Sequence, residues 1–178
     1  MAAFDPNADL RQDLAFRLMR NSPVTLFWRP QVLHDTLTWL EAHGYQVTRV
    51  DAARWSSDRD LHRDIAAALD FPDYYGGNLN ALNDCLRDVV DQGYGWAPGT
   101  TGLALVFTGY DAFAARSPET AQSVLDLMAA HSRSALLFGR RLMCLVQSDD
   151  PQIRFEPVGA SPVMWNGAEW LDSRRRAD

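Results

Sequence analysis

No run in this 178-residue chain is apolar for long enough to cross a bilayer, which takes about 20 residues. The opening Met-Ala-Ala-Phe-Asp-Pro has no signal-type apolar core, so a cytoplasmic protein is expected. Two cysteines are too few for a disulfide framework. Cys85 falls on the apolar side of a helical pattern and Cys144 inside a strand-like run. Both read as buried free thiols, which suits a reducing compartment. Internal repeats and low-complexity segments are absent.

Enzyme signatures are missing too. There is no G-x-S-x-G, no Walker lysine loop and no G-x-G-x-x-G opening a helix after a strand. The loop Gly93–Gly102 has a phosphate-cradle composition, but it precedes a strand where a cradle should follow one. His34, His43, His62 and His131 show no metal-ligand spacing and read as surface or helix-end residues. Asp149-Asp150 reads as a polar loop after a strand. The expectation is a non-enzyme without metal or cofactor.

What is present is a globular composition. Hydrophobic residues make up 47% of the chain, and 17 Lys and Arg face 23 Asp and Glu for a net charge of −6. That charge opposes nonspecific binding to nucleic acid and suits a basic protein partner. The alternation of patterns predicts an α/β fold with a mainly parallel sheet of about four strands. The strands are Val24–Trp28, Tyr45–Val50, Leu103–Thr108 and Leu142–Gln147. Helices are expected over residues 8–20 (with Leu10, Leu14 and Leu18 in one row), 31–43, 57–69 and 78–92, and from Ser117-Pro118 onward. Asn166-Gly167 between Trp165 and Trp170 predicts a small C-terminal hairpin. Arg174–Arg176 reads as a solvated basic tail.

The most informative stretch is Phe71-Pro-Asp-Tyr-Tyr-Gly-Gly-Asn-Leu-Asn-Ala-Leu-Asn-Asp-Cys-Leu86. Leu79, Leu82, Cys85, Leu86 and Val89 recur at helical spacing, while Asn80, Asn83, Asp84, Arg87, Asp88 and Asp91 occupy the other side. Asp84 and Asp88 are four apart and repel on one face. Asn80 and Asn83 are mediocre helix formers where better ones would be free choices. A solvated helix face is the plain reading; a grip for a basic partner is the functional one.

This stretch resembles the signature of the barstar family, intracellular inhibitors of a small secreted bacterial ribonuclease. The similarity runs upstream into Asp60–Leu69 and more loosely downstream into Leu103–Phe107 and the helix holding Ala121-Gln-Ser-Val-Leu-Asp-Leu. It covers roughly residues 45–148. The resemblance implies a barstar-like core over 45–150, and the length of the chain suggests one globular domain overall. An N-terminal helix and β-α extension over 1–44 and a C-terminal extension over 151–178 are expected to pack on that core, because Leu10, Leu14, Leu18, Leu26, Leu33, Leu37, Leu40, Trp165 and Trp170 offer too much apolar surface to leave in water.

It also implies a partner-binding set. The central acid that imitates a substrate phosphate falls on Asp84, the first signature tyrosine on Tyr74, and the loop contacts on Gly76 and Asn78. Other positions have changed. The family's second helical acid is Asn80 here, an aromatic contact is Asn83, and an acid from the later helix falls near Ala130. A glycine and a tryptophan after the motif are Asp88 and Val89, so Asp88 and Asp91 could supply charge instead. With Arg87, these residues form the candidate site: Tyr74, Gly76, Asn78, Asn80, Asn83, Asp84, Arg87 and Asp88. The leading expectation is an inhibitor or immunity protein that plugs a basic ribonuclease or related toxin. The alternatives are an adaptor that keeps the fold without the nuclease, and a small-ligand protein using the Gly93–Gly102 loop.

Overall fold

A computed structural model describes residues 13–20 and 22–175. Five parallel strands form one sheet: β1 (Val24–Phe27), β2 (Tyr45–Asp51), β3 (Gly102–Thr108), β4 (Leu142–Gln147) and β5 (Met164–Trp165), in the order β2-β3-β4-β1-β5. Among the described residues, six α-helices accompany them. They are α1 (Leu14–Met19), α2 (Pro30–Ala42), α3 (Asp58–Ala68), α4 (Leu79–Val90), α5 (Tyr110–Arg116) and α6 (Pro118–Leu137).

The travel of the chain decides which face each helix covers. From β1 the chain runs through α2 to the far edge at β2, then returns strand by strand to β4. Parallel crossovers are right-handed, so reversing direction places the helix on the opposite face. Accordingly α1 and α2 pack on the side bearing Phe27, Tyr45, Ala104, Val106, Met143 and Leu145. The remaining helices pack over Leu26, Val50, Leu103, Leu105, Phe107 and Val146. Alternate residues of β3 serve opposite faces, and six of its seven are buried.

The larger core centres on Trp55, which is fully buried edge-on to Phe107, Tyr110 and Phe113, with its indole N–H on Asp64 at 3.0 Å. Burial of each such side chain contributes roughly 1.5–3 kcal/mol. Cys85 and Cys144 are buried free thiols.

The C-terminal hairpin does not form. Met164–Trp165 instead pairs parallel to β1, with Thr25 opposite Met164 and Leu26 opposite Trp165, giving a fifth strand beyond the four expected. Asn166 accepts from the N–H of Ala168 through its side chain and from the N–H groups of Glu169 and Trp170 through its carbonyl. That local turn takes the groups a hairpin ladder would have used. Nor is the basic tail all solvated. Arg175 is buried, its guanidinium donating to three backbone carbonyls and lying 4.4 Å from the Trp165 ring centre; Arg176 lies outside the described residues, as does Leu10 of the first helix.

Glu169 ties this segment to the sheet. Its fully buried carboxylate accepts from the N–H of Trp28 (2.9 Å) and of Arg29 (2.8 Å), and from the Arg29 guanidinium. Those amides precede α2, whose N-cap Arg29 has no side-chain cap of its own. The anion therefore sits at the positive end of the helix.

Candidate functional site

The loop after α3 and the start of α4 are shaped by a few backbone requirements. α3 ends with Asp70 at a left-handed φ of +51° and the Phe71 N–H donating to the Ala66 carbonyl at 2.9 Å, and Pro72 follows. Gly77 adopts a left-handed φ of +59°, which glycine accepts at little steric cost. Asn78 then caps α4: its side-chain oxygen accepts from the N–H of Ala81 at 3.0 Å and its amide donates to the Gly76 carbonyl at 3.2 Å. Leu82, Cys85, Leu86, Val89 and Val90 bury one face of the helix. The opposite face leaves Asn80, Asp84, Arg87 and Asp88 exposed. Tyr74, on the loop, is 79% exposed, unusual for so large a ring.

The eight candidate residues thus occupy one continuous loop and helix, and seven of them are exposed. Asn83 is the exception. It is half-buried and its Oδ1 lies 3.0 Å from His131 Nε2 on α6, so it ties the two helices together. Asp84 is not unpaired either: Arg87 donates to it at 3.1 Å, with both side chains more than 60% exposed. Asp88 lies 3.2 Å from the Tyr94 hydroxyl, and Asp91 pairs with Arg140 at 3.6 Å. Ala130 is exposed on α6. A cleft of about 440 Å³ opens at the start of α4, lined by Asp58, Arg59 and His62 of α3 and by Gly77–Asn80.

Two histidines read as surface groups are buried and brace this region. His62 meets the Tyr75 hydroxyl at 2.6 Å across the loop, and Tyr75 packs edge-on to Phe71. The helical rows could have revealed both: His62 precedes Ile65 and Leu69 at i+3 and i+7, and His131 follows Met128 at i+3. Burial raises the Tyr75 pKa, keeping its hydroxyl protonated. Burial also holds both histidines below the ordinary value; for His131 the Arg87 charge adds to this.

The sign of the resulting pH dependence follows. The unfolded chain takes up protons near pH 6.5, while the folded histidines resist until a lower pH. Stability should therefore fall as pH drops below about 6.5 toward the folded values. His62→Asn and His131→Gln should each flatten the change in Tm between about pH 7.5 and 5.5. A slope unaltered in both variants would remove these histidines as its cause.

The Gly93–Gly102 loop proves structural. Gln46 of β2 holds it by donating to the Gly95 carbonyl and accepting from the Ala97 N–H, and Trp96 is buried beneath it. At Gly95, with φ +69°, a Cβ would meet the Leu69 carbonyl oxygen at 2.4 Å. The loop lies against the start of β2 and β3, away from the strand C-termini where a ligand would dock.

Among the described residues no group of three or more His, Cys, Asp or Glu is placed to hold a metal ion, and no helix is long and apolar enough to cross a membrane.

Comparison with known proteins bears on the same region. The family described as "Barstar (barnase inhibitor)" matches residues 45–147. A protein of Bacillus subtilis (strain 168) named "Putative ribonuclease inhibitor YrdF" is 50% identical over 42 residues. That match covers 24% of this chain and 46% of the relative's length.

Proposed function

The chain belongs to the barstar family, and from that premise we propose that it is a protein inhibitor that binds a basic ribonuclease or related toxin and occludes its active site. It works by contact and charge, with no chemistry of its own, in the cytoplasm of the producing cell. The observation that carries this reading is the exposed, acid-bearing face of α4, entered through the 79%-exposed Tyr74. Asp84 stands two-thirds exposed in the middle of that helix, available to a guanidinium or ammonium. Its bond to Arg87 is a surface pair worth about 0–1 kcal/mol, which a better-placed cation can displace. The half-buried Tyr75 with the buried His62 behind the loop, and the buried His131 against α4, support it by fixing the geometry before a partner arrives.

A second reading, an adaptor that keeps the fold without the nuclease, draws on one observation. Asn83, at a family contact position, is turned toward His131 and half withdrawn from the surface.

Immobilised wild-type protein and Asp84→Arg separate the two. Each is challenged with barnase and with lysate and medium of the producing cell, and bound protein is assayed for RNA cleavage. The inhibitor reading expects the wild type alone to retain a basic ribonuclease and to silence it. Retention of the same proteins by both forms, none of them a ribonuclease, would establish the adaptor instead.

A further inference from the structure

The C-terminal segment builds a cleft that the family match over 45–147 does not reach. It lies between residues 152–155 and the β5 edge, encloses about 650 Å³, and is walled by Phe155, Met164, Trp165, Trp170, Arg154 and Arg175. That volume falls within the roughly 300–1,000 Å³ of small-molecule sites. We propose that this cleft binds a flat aromatic anion, its ring against Trp165, Trp170 and Phe155 and its acid group on Arg154.

Three observations lead there. The cleft presents aromatic surface: Trp170 is 42% exposed, although an indole gains from burial. The walls are also held in place. Asn166 and Glu169, both buried, fix the turn that positions Trp165 and Trp170, and Arg175 is anchored through three carbonyls while its guanidinium lies over Trp165. A pre-set wall loses little freedom on binding.

The third observation is charge. Arg154 is exposed and makes no hydrogen bond or ion pair among the described residues. Asp111, Glu119, Asp150 and Glu156 line an adjoining cleft that shares Ile153, Arg154 and Phe155 with this one, so Arg154 stands at the rim between the two, ion-paired to none of those acids. Among the described residues that line the aromatic cleft, the ionisable groups are the guanidinia of Arg154 and Arg175. A planar carboxylate meets a guanidinium fork in two parallel hydrogen bonds, and an aromatic ring meets indole by stacking.

Calorimetric titration with 2-naphthoate, beside the neutral 2-naphthalenemethanol, tests this without a nuclease, so it stands or falls apart from the inhibitor reading. Saturable binding of the naphthoate is expected. Arg154→Ala should weaken it by about tenfold and leave the neutral compound unaffected, whereas Trp170→Ala should weaken both. Both side chains are exposed, so unchanged melting will show that the variants are folded. Absence of saturable heat up to millimolar naphthoate would overturn the proposal, as would equal naphthoate affinity in wild type and Arg154→Ala.

Discussion

Asp84→Ala is expected to weaken binding of a basic ribonuclease by two to three and a half decades while leaving the fold intact. Removing one member of a buried ion pair leaves the other charge without compensation, at about 3–5 kcal/mol, and each 1.4 kcal/mol is a factor of about ten. In the free protein the same change removes only an exposed pair with Arg87 and relieves repulsion from Asp88. Alanine is also the better helix former. Binding should collapse while Tm stays within a few degrees. Asp91→Ala, at the C-terminal end of α4 and paired with Arg140, should alter mainly the salt dependence of association. Titration of both variants at two salt concentrations reads both effects, and full-strength binding by Asp84→Ala would end the claim that this face is the site.

The largest effect on stability is expected from Glu169→Ala. The change leaves the amides of Trp28 and Arg29 without their acceptor, deprives α2 of its anion, and leaves the half-buried Arg29 guanidinium only its longer 3.6 Å pair with Asp172. Losing one side of such a buried pair costs about 3–5 kcal/mol. For a chain of this size Tm falls by about 2–4 °C per kcal/mol, so a drop of roughly 6–20 °C should appear in thermal melts. Limited proteolysis should then nick residues 151–175 before the rest. A variant melting within two degrees or so of wild type would show that the segment is held by its apolar contacts instead.

The strands and long helices were legible because their patterns are local. Leu142–Gln147 was read to the residue, and Ser57, Asn78 and Pro118 mark helix starts that a capping argument finds. The helix Tyr110–Arg116 escaped because seven residues between Gly109 and Ser117-Pro118 are too short to show a period. The fifth strand escaped for another reason: its partner, Thr25-Leu26, lies about 140 residues away, and no local pattern encodes that pairing. Asn166-Gly167 is legible as a turn, but its side-chain bonds, not its φ preferences, decide that it is a local turn and not a hairpin.

At the site, composition gave the exposed acids and the resemblance gave their order. What neither gave was their occupancy: Asp84 by Arg87, Asn83 by His131 and Asp88 by Tyr94. Such pairings depend on rotamers and on the approach of α6.

The position of β1 bears on how the molecule is made. Val24–Phe27 leaves the ribosome ahead of every other strand of the sheet, yet it is flanked there by β4 and β5. Val24 lies opposite Cys144, about 120 residues later. At about 5–20 residues per second of synthesis, that strand waits several seconds or longer for its neighbours. Until then its four apolar or β-branched residues, all buried in the finished sheet, offer an open strand edge to other chains. Closing so long a loop also slows refolding relative to a fold built from local contacts. Nascent chains released before residue 142 would lack both partners of β1, and should be the species that chaperones hold and that aggregate first.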